Sequence, residues 1–445
     1  MEIPPAGTST VSPDDALKRR ALPWSVGGEA FNTVFVLWTF SGSVFLLYLG
    51  ELGLPKGQIG VVLSLFPFLG LLALGFAPVA SRWGRKRVFV AGYAVRKVVM
   101  AGLLLLPLVL ATAGRTWALV HLFFVVALFA VLRALAETAF YPWVQEFVPN
   151  DIRGRYGAVL SVVTATVACF ALVTAGWVLG AGTGLGRFQM LIGIGCVCGL
   201  LGVVCYSRVP GGRPLPPGTE EGSHADRMAR CLRDRSFVAY LGGFGALTIG
   251  GAFMTSFLPL YMKEKLALPD GTIVWLQAVS MIGGVLSSLA GGWIADRLGS
   301  RPVLVPALLL SLLIPPAWLL LPRDASHVTI WCGAFSFAGG LASGAVGIGT
   351  GRLLYNSVVP VERSTSYMAV YYAWQGLAGG VAPLLAGGLL SVCAGWSHRL
   401  GPWTFDGYAI LFILSIPLLI GSCVFLARVR PDHEPQTAAR HHRGD

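Results

Sequence analysis

From residue 27 to residue 427 the sequence is a succession of apolar runs of about twenty residues, parted by short turns carrying Gly, Pro and charge. Each run is long enough to cross the roughly 30 Å hydrocarbon layer of a bilayer as a helix. Twelve such spans are expected, at 27–48, 58–80, 88–112, 116–140, 157–181, 188–207, 237–260, 271–294, 302–321, 328–350, 366–389 and 407–427. They must be helices, because an open strand in hydrocarbon leaves its N–H and C=O groups without partners. Only 12% of the residues are charged, against about a quarter in soluble domains. A chain so poor in charge cannot keep a large surface wet, so the expected fold class is an all-α integral membrane protein.

The net charge of +12 would suit a nucleic-acid binder, but its placement argues otherwise. Most of the 33 Lys and Arg fall in the tails and on alternate turns, as in Lys18-Arg19-Arg20, Arg82 to Arg87, and Arg297 and Arg301. The intervening turns hold only Lys56, Arg115, Arg187, Lys263, Lys265, Arg323 and Arg399. That asymmetry implies that both termini lie in the cytoplasm and that the chain sits in the cell (inner) membrane. Residues 1–22 read as a disordered cytoplasmic tail, 208–236 as a Pro- and Gly-rich cytoplasmic linker, and 428–445 as a second tail. The eight cysteines read as packing residues, without metal-ligand spacing.

The segments 23–207 and 237–427 repeat one another. Leu54-Pro55-Lys56-Gly57-Gln58-Ile59 returns as Leu268-Pro269-Asp270-Gly271-Thr272-Ile273, in each case after the first span of a half. After the second span, Arg82 and Gly84 return as Arg297 and Gly299. After the fourth, Val148-Pro149 returns as Val359-Pro360. Fixed-period echoes in the same order mark two copies of one unit, here two pseudo-symmetric six-helix bundles.

The turn between spans 8 and 9 reads Gly292-x-x-x-Asp296-Arg297-x-Gly299-x-Arg301. It resembles the signature of the major facilitator superfamily of transporters. The first half carries a weaker copy through Arg82, Gly84 and Arg85, with Ala77 and Ser81 where Gly and Asp are usual. The resemblance implies twelve helices in two parallel repeats, alternating access, and Asp296 as a latch from span 8 to span 11. Ser81 cannot form the matching ion pair. The Arg-x-x-Gln-Gly motif of proton-coupled members is met here by Arg133, Ala136 and Glu137, and span 5 lacks the proline usual in antiporters.

Charges inside spans are costly and need partners or water. They are Glu29, Arg96, Lys97, Arg133 and Glu137, all in the first half. Arg133 and Glu137 share a helix face at i,i+4 spacing. Arg133 and Arg96 are each expected about 13 Å deep, so with Glu29 these groups form a candidate proton-coupling network, Lys97 snorkelling away from it. By the resemblance, spans 1, 4, 7 and 10 line a cavity. Candidate substrate contacts are Asn32, Trp38, Tyr240, Thr255, Trp331 and Ser336, with Trp374 and Gln375 of span 11 beside them. The uncharged second half suggests a neutral or amphipathic solute. The leading reading is a secondary active transporter without cofactor, metal or catalytic residue. Its partners are a small-molecule substrate, protons and the lipid bilayer, with no nucleic acid, and its state a monomer. The competing readings are a passive channel or sensor on the same fold, and a membrane-embedded transferase.

Overall fold

The computed structural model describes residues 13–212, 231–323, 327–359, 364–400 and 403–429. Among these residues, ten helical runs are long and apolar enough to cross a membrane. One, Arg85–Phe147, has 63 residues and would be about 95 Å long if straight. Gly114 breaks it with φ 81° and ψ 178°. The two arms on either side of Gly114, residues 85–113 and 115–147, pack on each other as spans 3 and 4. Span 2 is itself broken, into Lys56–Gly70 and Ala73–Trp83, and completes the twelve.

The two halves share one packing scheme. Spans 1 and 6, 2 and 4, 3 and 4, 3 and 6, and 1 and 5 pack together in the first half. The equivalent pairs 7 and 12, 8 and 10, 9 and 10, 9 and 12, and 7 and 11 do so in the second. The halves meet through span 2 against span 11 and span 5 against span 8. These are symmetry-equivalent seams, and both are lined by glycine. A Cβ on Gly60 would lie 2.5 Å from the Pro383 carbonyl, and one on Gly271 would lie 2.4 Å from that of Gly176. Small residues let backbones approach where lipid supplies no hydrophobic drive.

Several expectations are corrected. The segment 13–22 is helix, since the first helix runs Pro13–Thr39. Pro13 suits a first helical position. Residues 1–12 lie outside the described residues, as does most of the linker. Span 1 is not continuous: after Thr39 the helix stops and resumes as Gly42–Glu51. Gln277 of span 8 accepts a 2.7 Å hydrogen bond from the freed Ser43 N–H. Span 7 breaks at the corresponding place, between Arg235–Thr255 and Leu258–Lys265. Backbone irregularity inside a membrane persists only where protein satisfies it. A two-stranded hairpin, Ser397–Leu400 with Trp403–Asp406, joins spans 11 and 12.

Candidate functional site

The turns at Gly84 and Gly299 define one side of the molecule, called here the basic side, and the opposite one the far side. Span 3 starts at Arg85 and span 4 ends at Phe147, both on the basic side. Arg96 is therefore about 16 Å, Glu137 about 15 Å and Arg133 about 21 Å from that helix end. Arg133 is deeper than its sequence suggested, because span 4 continues seven residues beyond 140. Near mid-membrane, Arg133 Nε donates to Glu137 Oε1 at 2.7 Å. Arg96 reaches in from span 3, with one terminal nitrogen 3.9 Å from the same carboxylate oxygen. Its guanidinium lies 4.2 Å from the Tyr93 ring centre and 5.9 Å from that of Phe129.

Lys97 does not snorkel; it is fully buried. Its ammonium donates to Asn32 Oδ1 at 2.7 Å and lies 3.4 Å from the Phe35 ring centre. Asn32 passes the contact on, donating to Glu29 Oε2 at 3.3 Å. Tyr206 of span 6 donates to Glu29 Oε1 at 2.7 Å. The five intramembrane charges thus form two groups, Arg96–Glu137–Arg133 and Lys97–Asn32–Glu29. Tyr93 sits between them, 4.3 Å from the Lys97 ammonium. A cation over an aromatic face keeps part of the stabilisation it loses on leaving water. Tyr93 and Tyr206 were missed in the sequence, where each is one aromatic among many.

At the far side, polar contacts tie the halves together. Lys263 of span 7 bonds Glu51 of span 1 at 2.8 Å and Asp270 of span 8 at 3.0 Å. Arg187, opening span 6, pairs with the same Asp270, whose side chain is 4% exposed. Lys56 pairs with Glu264 at 2.9 Å, and the Gly57 N–H donates to Ser391 at 2.8 Å. Trp275 donates to the Val173 carbonyl at 3.1 Å. All of these close the far side. The sequence held a signal for this seal: the two turns that repeat after spans 1 and 7 both carry charge on both signs.

On the basic side, Gly84 and Gly299 have φ of 91° and 85°, a conformation a side chain strains. Asp296 pairs with Arg352 at the end of span 10. The expected partner was span 11; span 10 takes the place because it packs directly along span 8. Arg301 caps the end of span 12 through the Val429 carbonyl at 3.1 Å. Arg297 lies over Trp293 at 4.0 Å. Arg85 reaches the Pro142 carbonyl at 3.4 Å, and Arg82 is exposed, as is Gly292's neighbour Trp293.

The cavity candidates separate. Asn32 belongs to the charged cluster. Trp38 and Trp374 spend their indole N–H groups on the carbonyls of Ala171 and Leu241, each at 2.8 Å. They brace the equivalent seams 1–5 and 7–11, so neither offers a donor to a cavity. Tyr240 is buried and donates to the Thr350 carbonyl at 3.1 Å, joining spans 7 and 10. Ser336 is buried. Thr255 is exposed and bonded to its own helix at Gly251. Trp331 is exposed beside Phe335, and Gln375 is exposed.

The Major Facilitator Superfamily family model matches residues 30–274 and 239–444. The ectoine/proline transporter ProP of Corynebacterium glutamicum is 26% identical over 291 residues. That match covers 57% of this chain, and the chain spans 54% of that protein's length. A crystal structure of the nucleoside transporter NupG superposes with a TM-score of 0.71 at 12% identity, covering 93% of this chain and 100% of its own. A bacterial homologue of the iron transporter ferroportin, in an inward-facing state, gives 0.65 at 14% identity, covering 93% and 98%. At such identities the structures speak for the fold alone. The matched family model, the repeated bundle pairing and the Gly292-to-Arg301 turn agree: the chain belongs to the major facilitator superfamily.

Proposed function

We propose that the protein is a secondary active transporter, moving a small organic solute across the cell (inner) membrane by alternating access, driven by protons. The basic side, with both termini, faces the cytoplasm. The observation that carries this reading is a titratable cluster held at mid-membrane beneath a far side sealed by contacts between the halves. A pore has no use for such a seal. Charge inside a membrane is retained where it moves ions or switches conformation. Protonation of Glu137 removes the one charge holding Arg133 at 2.7 Å and Arg96 at 3.9 Å. The freed guanidiniums repel each other, and that local change can bias the rocking of one bundle against the other. The name of the sequence relative, an ectoine/proline transporter, supports an organic cargo.

The test is flux in proteoliposomes. Saturable solute movement that follows an imposed proton gradient is expected. Unsaturable flux indifferent to the gradient would instead favour the channel reading. Topology is checked separately, with single cysteines at Glu220 and His398 in cysteine-free protein. The first should be labelled from the cytoplasm and the second from outside.

A further inference from the structure

At the heart of the first bundle two guanidiniums share one carboxylate. We propose that the balancing charge arrives with the cargo: the transported solute carries a carboxylate, which docks on Arg133 and Arg96 in competition with Glu137. This rests on the transporter reading and names its substrate class.

The charge count is local. Glu29 is taken up by Tyr206 and by Asn32, which also holds Lys97, so its hydrogen bonds serve the Lys97 group and none reaches the arginines. Arg96 is 4% exposed, and its Nε and one terminal nitrogen have no hydrogen-bond partner. That nitrogen is 3.9 Å from Glu137, too far for a hydrogen bond. A guanidinium does not shed its proton in a protein. Burying it with donors unused is costly, and a planar carboxylate satisfies two of them at once. The site can also be reached, since the side chains of Arg133 and Glu137 are 37% and 43% exposed.

The surroundings say what else the solute bears. Tyr141 lies one turn beyond Glu137 on the same face and is 68% exposed. Tyr355 at the end of span 10 is 59% exposed and lies within electrostatic reach of both Tyr141 and Tyr372. Exposed rings on both halves suit an apolar or a cationic body. The uncharged second half thus meets the body of the solute, while its charge sits in the first half. Simple anions and zwitterions both present a carboxylate to Arg133 and Arg96.

The experiment is thermal stabilisation of the purified protein by a panel at millimolar concentration. The panel holds simple organic carboxylates, zwitterionic amino and imino acids, and the methyl ester or amide of each. Carboxylates should stabilise and their esters and amides should not; which of the first two groups does so separates the two sources. Glu137→Gln keeps the side chain's shape and removes the competitor, so it should bind the best carboxylate roughly tenfold tighter. Arg133→Gln should weaken it by roughly tenfold or more, with Arg133→Lys in between. Esters as effective as acids, no stabilisation by any carboxylate, or unchanged affinity in Glu137→Gln would each overturn the proposal. In proteoliposomes, proton-driven flux of a solute lacking a carboxylate sinks this inference and leaves the transporter reading intact. A carboxylate that binds in detergent but never crosses the membrane does the reverse.

Discussion

Arg352 and Asp296 show how far single residues could be read. The motif around Asp296 announces a charged partner, but the partner's identity depends on which helix end lies alongside span 8. That is a packing fact with no local sequence signal. The pair is half open to solvent, with the Asp296 side chain 72% exposed, so it adds less than about 1 kcal/mol to stability. Under the proposed transport cycle its use is to hold two helix ends in register. Asp296→Asn is therefore expected to lose transport with little change in melting temperature. Arg352→Gln should match it, and the double variant should be no worse than either. Ser81→Ala, at the equivalent position of the first half, should stay near wild type in the same flux assay. Equal losses at positions 81 and 296 would show that the asymmetry of the two turns has no functional weight. Lys97 was misread for a related reason. Snorkelling was expected because a lysine stem can reach an interface. Instead Asn32 and two aromatic faces supply a local partner set, assembled from spans 1 and 3.

Elements were legible as long as their signal was hydrophobic length. The spans and the two repeats follow from apolar runs and punctuation. The breaks in spans 1 and 7 did not, because the residues at each break, Phe40-Ser41 and Ser256-Phe257, are ordinary in a membrane helix. What permits the first break lies elsewhere in the chain, in Gln277. The glycines were legible as close-packing residues, but not which seam each serves. Gly60 and Gly387 face each other across spans 2 and 11, and a Cβ on Gly387 would lie 2.6 Å from the Lys56 carbonyl. Gly60→Val should hold this seam apart by forcing the backbones to separate. The expected result is a fall in transport together with faster labelling of a cysteine at Ser391 from outside. Unchanged labelling would mean the seam absorbs the added bulk without opening.

At the scale of the whole molecule, the architecture is two copies of one packing scheme joined along two equivalent seams. In this structure Asp270 lies among the contacts that join the two halves at the far side. Asp270 is 4% exposed and serves both Arg187, from the first half, and Lys263, which in turn grips Glu51 of the first half. One carboxylate therefore organises two of the ion pairs across the seal. Under the proposed alternating access these contacts break when the far side opens, and their strength then sets part of the balance between the two states. Asp270→Asn removes the negative charge shared by two partly buried cations, Arg187 and Lys263, whose side chains are 12% and 29% exposed. The loss falls on the far-closed state, since opening gives both cations water. The variant should shift the population toward far-side opening. Spin labels at Leu54 and Ala394, on the far-side turns of the two halves, report it directly. A longer-distance population should grow in Asp270→Asn, and grow further when Lys263→Gln also removes the tie to Glu51. If the distance distribution in Asp270→Asn matches wild type, the seal is held by the glycine seams alone and the ion pairs follow the motion without controlling it.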